Sequence, residues 1–152
     1  MSLTLPKDAF LALAAVGWSD GVFTAEEGAA LLRAARGSGL AAEDLASVES
    51  AMKKSITIPE IETIRMTRAD RVLTYALATW LARLDGVVTP EERDTLVLLG
   101  DRMGLPDGVR SRASAAAFEV ASLPDGDRPD RYDFGALQAR LAKTLGGDLS
   151  ED

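Results

Sequence analysis

Residues 20–27 have the sequence DGVFTAEE, and residues 85–92 have the sequence DGVVTPEE, so one acidic segment occurs twice at an offset of 65 positions. When the alignment is extended to Leu40 and Leu105, nine of 21 positions are identical. Self-similarity at a fixed offset indicates one structural unit used twice. We therefore expect a fold built from two copies of an acidic helix-turn-helix unit.

Each copy contains the signature of a helix start. Thr24 is followed three residues later by Glu27, and Thr89 is followed by Glu92. This spacing is that of a capping box, in which the threonine oxygen and the glutamate carboxylate each accept a backbone N–H. Pro90 occupies the first helical position of the second copy, where proline is favoured. Two helices should therefore begin directly after these threonines.

Both helices should end at a glycine followed by a leucine, Gly39-Leu40 in the first copy and Gly104-Leu105 in the second. Glycine adopts the left-handed conformation that closes a Schellman motif, and the following leucine folds back on the helix. The two predicted helices cover residues 25–38 and 90–103.

Apolar residues at helical spacing predict the remaining helices. These cover residues 7–19, 42–54, 67–84 and 107–121, with a last one starting at Asp133. The helix over 67–84 is apolar around a wide arc and should be central. The expected fold class is all-α, a single domain over residues 1–152 with about seven or eight helices. Its pseudo-symmetric repeat halves are residues 7–54 and 67–121, followed by a linker and helix over 122–146.

Composition excludes several classes of function. The chain has no histidine and no cysteine, which removes Ser-His and Cys-His nucleophile pairs and zinc sites built on imidazole or thiolate. Its net charge of -7 repels phosphate backbones, so nucleic acid is not an expected partner. No run of 18 apolar residues or signal-peptide pattern occurs, which predicts a cytoplasmic protein without direct membrane insertion.

Asp20, Glu27, Asp85 and Glu92 are the candidate metal ligands. If the repeat units pack about a pseudo-twofold axis, the two turns converge and bring these four carboxylates together. Carboxylate oxygens suit calcium, magnesium or manganese, and a divalent cation would relieve the mutual repulsion of the cluster. Neither turn has the ligand ladder of an EF-hand, so any such site is unconventional.

A structural interpretation of the same residues stays open. Asp-Gly is a favourable turn pair, and Glu27 and Glu92 are expected capping partners whose carboxylates stabilise helix N-termini. Capping and metal ligation could then compete. A second acidic cluster, at Asp125, Asp127 and their neighbours, is interrupted by arginines and flanked by prolines, which predicts a solvated linker.

The duplicated motif, Asp-Gly with a cap residue and a Glu seven positions after the Asp, followed by a Leu-rich helix ending in Gly-Leu, resembles the TerB-like family of tellurite-resistance proteins. The resemblance covers residues 7–121. It implies an all-helical cytoplasmic fold without known catalytic activity, acting with soluble and membrane-associated protein partners in metal-related stress responses. It also implies that Asp20 with Glu27, and Asp85 with Glu92, form an acidic, metal-binding surface.

Two other classes of function remain open, an enzyme and a protein-interaction domain. An enzyme would have to use carboxylates alone, because no nucleophile elbow, phosphate-binding loop or dinucleotide fingerprint occurs. A protein-interaction domain would use the acidic turns only as structure. Trp18 aligns with Arg83 in the second copy, so a partly exposed Trp18 would suit a partner contact. The sequence leaves the oligomeric state open.

Overall fold

The computed structural model describes residues 5–19, 25–54, 56–58, 61–63, 66–83, 89–122 and 134–149. Within them lie seven α-helices and no strand. The helices are α1 (Lys7–Gly17), α2 (Ala25–Gly37), α3 (Ala42–Lys53), α4 (Arg68–Leu81), α5 (Pro90–Met103), α6 (Asp107–Ala121) and α7 (Phe134–Leu149). The predicted all-α class is confirmed. None of the described helices is long and apolar enough to cross a bilayer.

The start of α5 is the predicted capping box. The Thr89 hydroxyl oxygen accepts the Glu92 backbone N–H at 3.1 Å, and Glu92 Oε1 accepts the Thr89 backbone N–H at 3.0 Å. Thr67 and Asp70 form the same arrangement at the start of α4. These reciprocal bonds satisfy donors that a helix N-terminus otherwise leaves unpaired. Thr24, the predicted cap of α2, lies outside the described residues.

The end of α5 is a Schellman motif, as predicted. Gly104 has φ +69°, its N–H donates to the Asp101 carbonyl at 3.1 Å, and the Leu105 N–H donates to the Gly100 carbonyl at 3.0 Å. Gly39 after α2 is also left-handed, with φ +71°. Only glycine adopts this conformation routinely, because other residues place a Cβ against the backbone.

The core is centred on α1 and α4. Both are buried around most of their circumference, and α4 packs against α1, α5, α6 and α7, so its predicted central position is confirmed. Two buried threonines on α4 keep their hydroxyls bonded within the helix, Thr74 to the Asp70 carbonyl and Thr79 to the Ala76 carbonyl. Both of these buried hydroxyls therefore have a hydrogen-bond partner.

The connector between α3 and α4 belongs to the core despite its irregular backbone. Ile58 and Ile61 are buried at 4% and 1% exposure. The Arg102 guanidinium at the end of α5 donates two hydrogen bonds to the Ile61 carbonyl, from Nε at 3.1 Å and Nη2 at 2.7 Å. The end of α5 is thus tied to the connector that precedes α4.

Several helix ends differ from expectation: α4 ends at Leu81 and not at residue 84, and α2 and α3 each end one residue early, at Gly37 and Lys53. The first helix ends at Gly17 instead of continuing to Ser19, which forms a turn. The last helix runs to Leu149, past the predicted end at residue 146. A glycine lowers the stability of a helix by only about 1 kcal/mol, so the backbone hydrogen bonds of a continued helix can offset it.

Candidate functional site

Glu27 and Glu92 occupy corresponding positions in the first turns of α2 and α5, and both are buried. Glu27 is 5% exposed and Glu92 is 3% exposed. Both helices pack against α1, so two of the four predicted ligands lie on helices that share a neighbour. Asp20 and Asp85, the other two predicted ligands, lie outside the described residues.

The Glu92 carboxylate is buried at the N-terminus of α5. A buried charge is costly unless it is hydrogen-bonded or paired. Glu92 Oε1 accepts the Thr89 N–H, and the carboxylate lies at the positive end of the α5 dipole. The cap therefore accounts structurally for Glu92, as the capping interpretation predicts. A metal ion at Glu92 would compete with this capping bond for the carboxylate.

The donor set has the right chemistry for a hard cation, but the described residues supply only part of it. Carboxylate oxygens are the ligands that calcium, magnesium and manganese prefer. In the portion of the chain that the structure describes, no three acidic side chains gather closely enough to hold an ion. A complete site would need Asp20 and Asp85, which that portion does not include.

Two surface clefts adjoin near α1. The first, of about 390 Å³, is lined by Lys7, Leu11, Ser47, Ser50, Ala51, Lys54 and Ile56. The second, of about 240 Å³, is lined by Ala15, Trp18, Ser19, Ile56, Thr57, Ile58, Thr95 and Leu98. Ile56 belongs to both linings, so the clefts meet at the connector. Neither cleft was predicted; the available signal was the recurrence of Lys7, Leu11, Ala15 and Trp18 at helical spacing, since each lines one of the two clefts.

Trp18 and Arg83, which align at the 65-residue offset of the sequence, contact α3 and α6, respectively. The Trp18 indole N–H donates to the Ala51 carbonyl in α3 at 2.7 Å, and Trp18 is half-buried. The Arg83 guanidinium lies 4.1 Å from the centre of the Phe118 ring in α6. Trp18 is partly exposed and lines the second cleft, the condition under which the sequence favours a partner contact.

A separate polar cluster lies where α4 meets α6. Burial raises the pKa of the Tyr75 hydroxyl, Arg110 opposes this by favouring the phenolate, and Asp107 adds to the increase. Arg110 also donates to the Leu105 carbonyl at 2.7 Å and to Asp101 Oδ1 at 2.8 Å. Tyr75 therefore stays protonated at neutral pH, which suits a helix interface better than acid-base chemistry.

Comparisons of this chain with protein-family models, curated proteins and solved structures find no match.

Proposed function

We propose that the chain is a non-enzymatic, cytoplasmic binding module of the TerB-like kind, acting with protein partners in a tellurite- or metal-related stress response. In this proposal its two acidic turns hold one divalent cation. The observation that carries it is the burial of Glu27 and Glu92 at corresponding helix positions, each seven residues after the Asp of an Asp-Gly pair.

The packing of the helices supports a pseudo-symmetric repeat. In the first half α1 packs against α2 and α3, and in the second half α4 packs against α5 and α6. The aligned pair Trp18 and Arg83 reaches α3 and α6, respectively. The central helices α1 and α4 also pack against each other, as expected for halves joined through their first helices.

The proposed cation would be held by Asp20 and Glu27 from one half and by Asp85 and Glu92 from the other. Calcium, magnesium and manganese are the candidates, because every available ligand is an oxygen. The cation would neutralise carboxylates that otherwise repel one another in a protein of net charge -7.

Thermal melting with calcium, magnesium, manganese or a chelator tests the proposal. A ligand that binds only the folded state stabilises it by about 2.7 kcal/mol at a hundredfold excess over its dissociation constant. The wild-type protein should therefore melt higher with at least one of these ions than with chelator. Identical melting in every condition, with no heat of binding in calorimetry, would reject the cation.

Substitutions in the two turns test whether both halves serve one centre. Asp20→Asn and Asp85→Asn should weaken cation binding to a similar extent, because each removes one equivalent ligand. Asp127→Asn, in the second acidic cluster, is the matched control and should leave binding unchanged. A loss confined to one turn would contradict a shared centre.

Glu92→Gln separates ligation from capping. Glutamine has the same shape and can still accept the Thr89 N–H, but it lacks the charge that attracts a cation. In chelator this variant should lose about 1 kcal/mol of stability from the lost charge–dipole interaction, and the ion should no longer stabilise it. If it instead responds to the ion as wild type does, Glu92 is a capping residue only.

The second candidate is a protein-interaction domain in which the acidic turns are purely structural. The occupied capping box at Glu92 and the clefts beside Trp18 favour it. A carboxylate-based enzyme has no specific observation in its support.

A further inference from the structure

The two clefts beside α1 form one groove along a single face of that helix. Lys7, Leu11, Ala15 and Trp18 recur at i, i+4, i+8 and i+11, and each lines one of the clefts. Residues at this spacing share one face of a helix and span roughly 16 Å along its axis. We call this surface, from Lys7 to Trp18 and including the residues that line both clefts, the α1 groove.

One part of the α1 groove is basic. Lys7 and Lys54 line the first cleft, and the described residues around it include no acidic side chain. Within the described part of the chain, no carboxylate forms an ion pair with either lysine. Ser47 and Ser50 add hydroxyls, and Leu11, Ala51 and Ile56 add apolar surface. The described lining of the first cleft therefore carries two positive charges and no negative one.

The other part of the groove is apolar. No charged side chain is among the described residues that line the second cleft, where the half-buried Trp18 and the buried Ile58 face Leu98 of α5. Leu98 is 52% exposed, and with Val97 it is one of two large apolar residues that the described structure leaves exposed. An aromatic residue and aliphatic residues around a cleft are the usual setting for an anchor side chain of a partner.

We propose that the α1 groove binds an acidic amphipathic helix of a partner protein. The apolar face of that helix would place an anchor between Trp18 and Leu98, and its carboxylates would pair with Lys7 and Lys54. A groove of about 16 Å accommodates roughly three helical turns, the length over which i, i+4 and i+7 anchors engage.

Charge complementarity selects an acidic partner although the whole protein is acidic. At physiological ionic strength the Debye length is about 8 Å, so a docked segment interacts mainly with nearby charges. The nearest described charges in the groove are the two lysines. This binding goes beyond the proposed function and requires no cation, so we expect it to persist in chelator.

The probe is a fluorescein-labelled 14-residue helical peptide with leucine at i, i+4, i+7 and i+11 and glutamate at most other positions. Its counterpart carries lysine in place of glutamate. Fluorescence anisotropy should show saturable binding of the acidic peptide, weakened by added salt, and little binding of the basic one. Absence of acidic-peptide binding, or equal binding of both peptides, overturns the proposal.

Neighbouring residues supply matched control variants. Leu98→Glu and Lys54→Glu should each weaken binding by about tenfold or more, because they remove the anchor contact and reverse a groove charge. Val97→Glu and Lys53→Glu alter exposed residues that do not line the clefts and should change affinity by less than about twofold. Equal losses in a variant and its control overturn the groove assignment. Lys54 is exposed, so Lys54→Glu keeps the test valid even where Leu98→Glu reduces stability.

Two other occupants of the α1 groove would each give a different experimental result. Sedimentation equilibrium that shows a dimer abolished by Leu98→Glu but not by Val97→Glu assigns the groove to a second copy of the chain and overturns the proposal. Binding to phosphatidylglycerol vesicles that outcompetes the acidic peptide and is lost in Lys54→Glu assigns it to an anionic membrane surface, with the same consequence. Peptide binding should persist in chelator. The outcome of the peptide experiment therefore does not depend on the outcome of the cation test.

Discussion

At the scale of single residues, Gly100 is a helix position where an added side chain would collide with Arg110. A Cβ built on Gly100 would lie 2.6 Å from both Cζ and Nε of Arg110. The Arg110 side chain is flexible, but its guanidinium is held by the Leu105 carbonyl and the Asp101 carboxylate. Any side chain at position 100 must therefore displace Arg110 from those bonds.

We expect Gly100→Ala to be less stable than Gly108→Ala by about 1–2 kcal/mol in urea unfolding, because hydrogen bonds of the charged Arg110 are lost. Gly108 is a helical glycine with no neighbour within 4 Å of an added Cβ, so Gly108→Ala should stabilise by about 0.4–1 kcal/mol. In an Arg110→Ala background the two substitutions should become similar. A persistent difference there would show that the backbone, not Arg110, limits position 100.

At the scale of the helix, capping boxes fix where α4 and α5 begin. Thr67 and Asp70 exchange two bonds of 3.1 Å, and Thr89 and Glu92 exchange the equivalent pair. Each bond joins residues only three positions apart. It therefore forms locally, at the first turn of its own helix.

Thr67→Ala and Thr89→Ala should each lower the free energy of unfolding by about 0.5–2 kcal/mol, the usual effect of removing an N-cap. Thr95→Ala in the middle of α5 is the matched control, because the Thr95 hydroxyl only bonds the Glu91 carbonyl of its own helix. Thr89→Ser keeps the oxygen and should retain most of the stability. A loss in Thr95→Ala as large as in the capping variants would contradict a specific capping effect.

At the scale of the whole molecule, Ile61 ties the connector between α3 and α4 to the end of α5. This side chain is 1% exposed, and its carbonyl accepts both bonds from Arg102 across 41 positions of sequence. A carbonyl outside regular structure is thereby satisfied by the fork of one guanidinium.

We expect Arg102→Ala to lower the free energy of unfolding by about 1–2 kcal/mol, because hydrogen bonds from a charged donor are lost. Arg102→Lys should recover only part of this loss, since an ammonium lacks the fork geometry. Arg93→Ala, at an exposed position of the same helix, is the control and should change stability by less than about 0.5 kcal/mol. Full rescue by lysine would show that charge alone matters at position 102.

Much of the fold could be predicted from local pattern, and much less of the candidate site. The bounds of α5 and α6 agree with expectation, because Thr89 with Glu92 and Gly104 with Leu105 act within a few residues of each other. Burial of Glu27 and Glu92 was not predicted as such; only their capping positions were. The α1 groove was missed because Lys7 and Lys54 are brought together by packing between α1 and α3.

The sequence by itself determined that the chain is helical, that the helix over 67–84 is central, and that α5 starts at a capping box. These features depend on helical spacing and on hydrogen bonds between residues a few positions apart. Only the tertiary structure decided that Trp18 bonds the Ala51 carbonyl 33 positions away, that Arg102 holds Ile61, and that the two clefts meet at Ile56. Such contacts depend on how amphipathic helices pack, and an apolar stripe specifies that a face is buried without specifying against which neighbour.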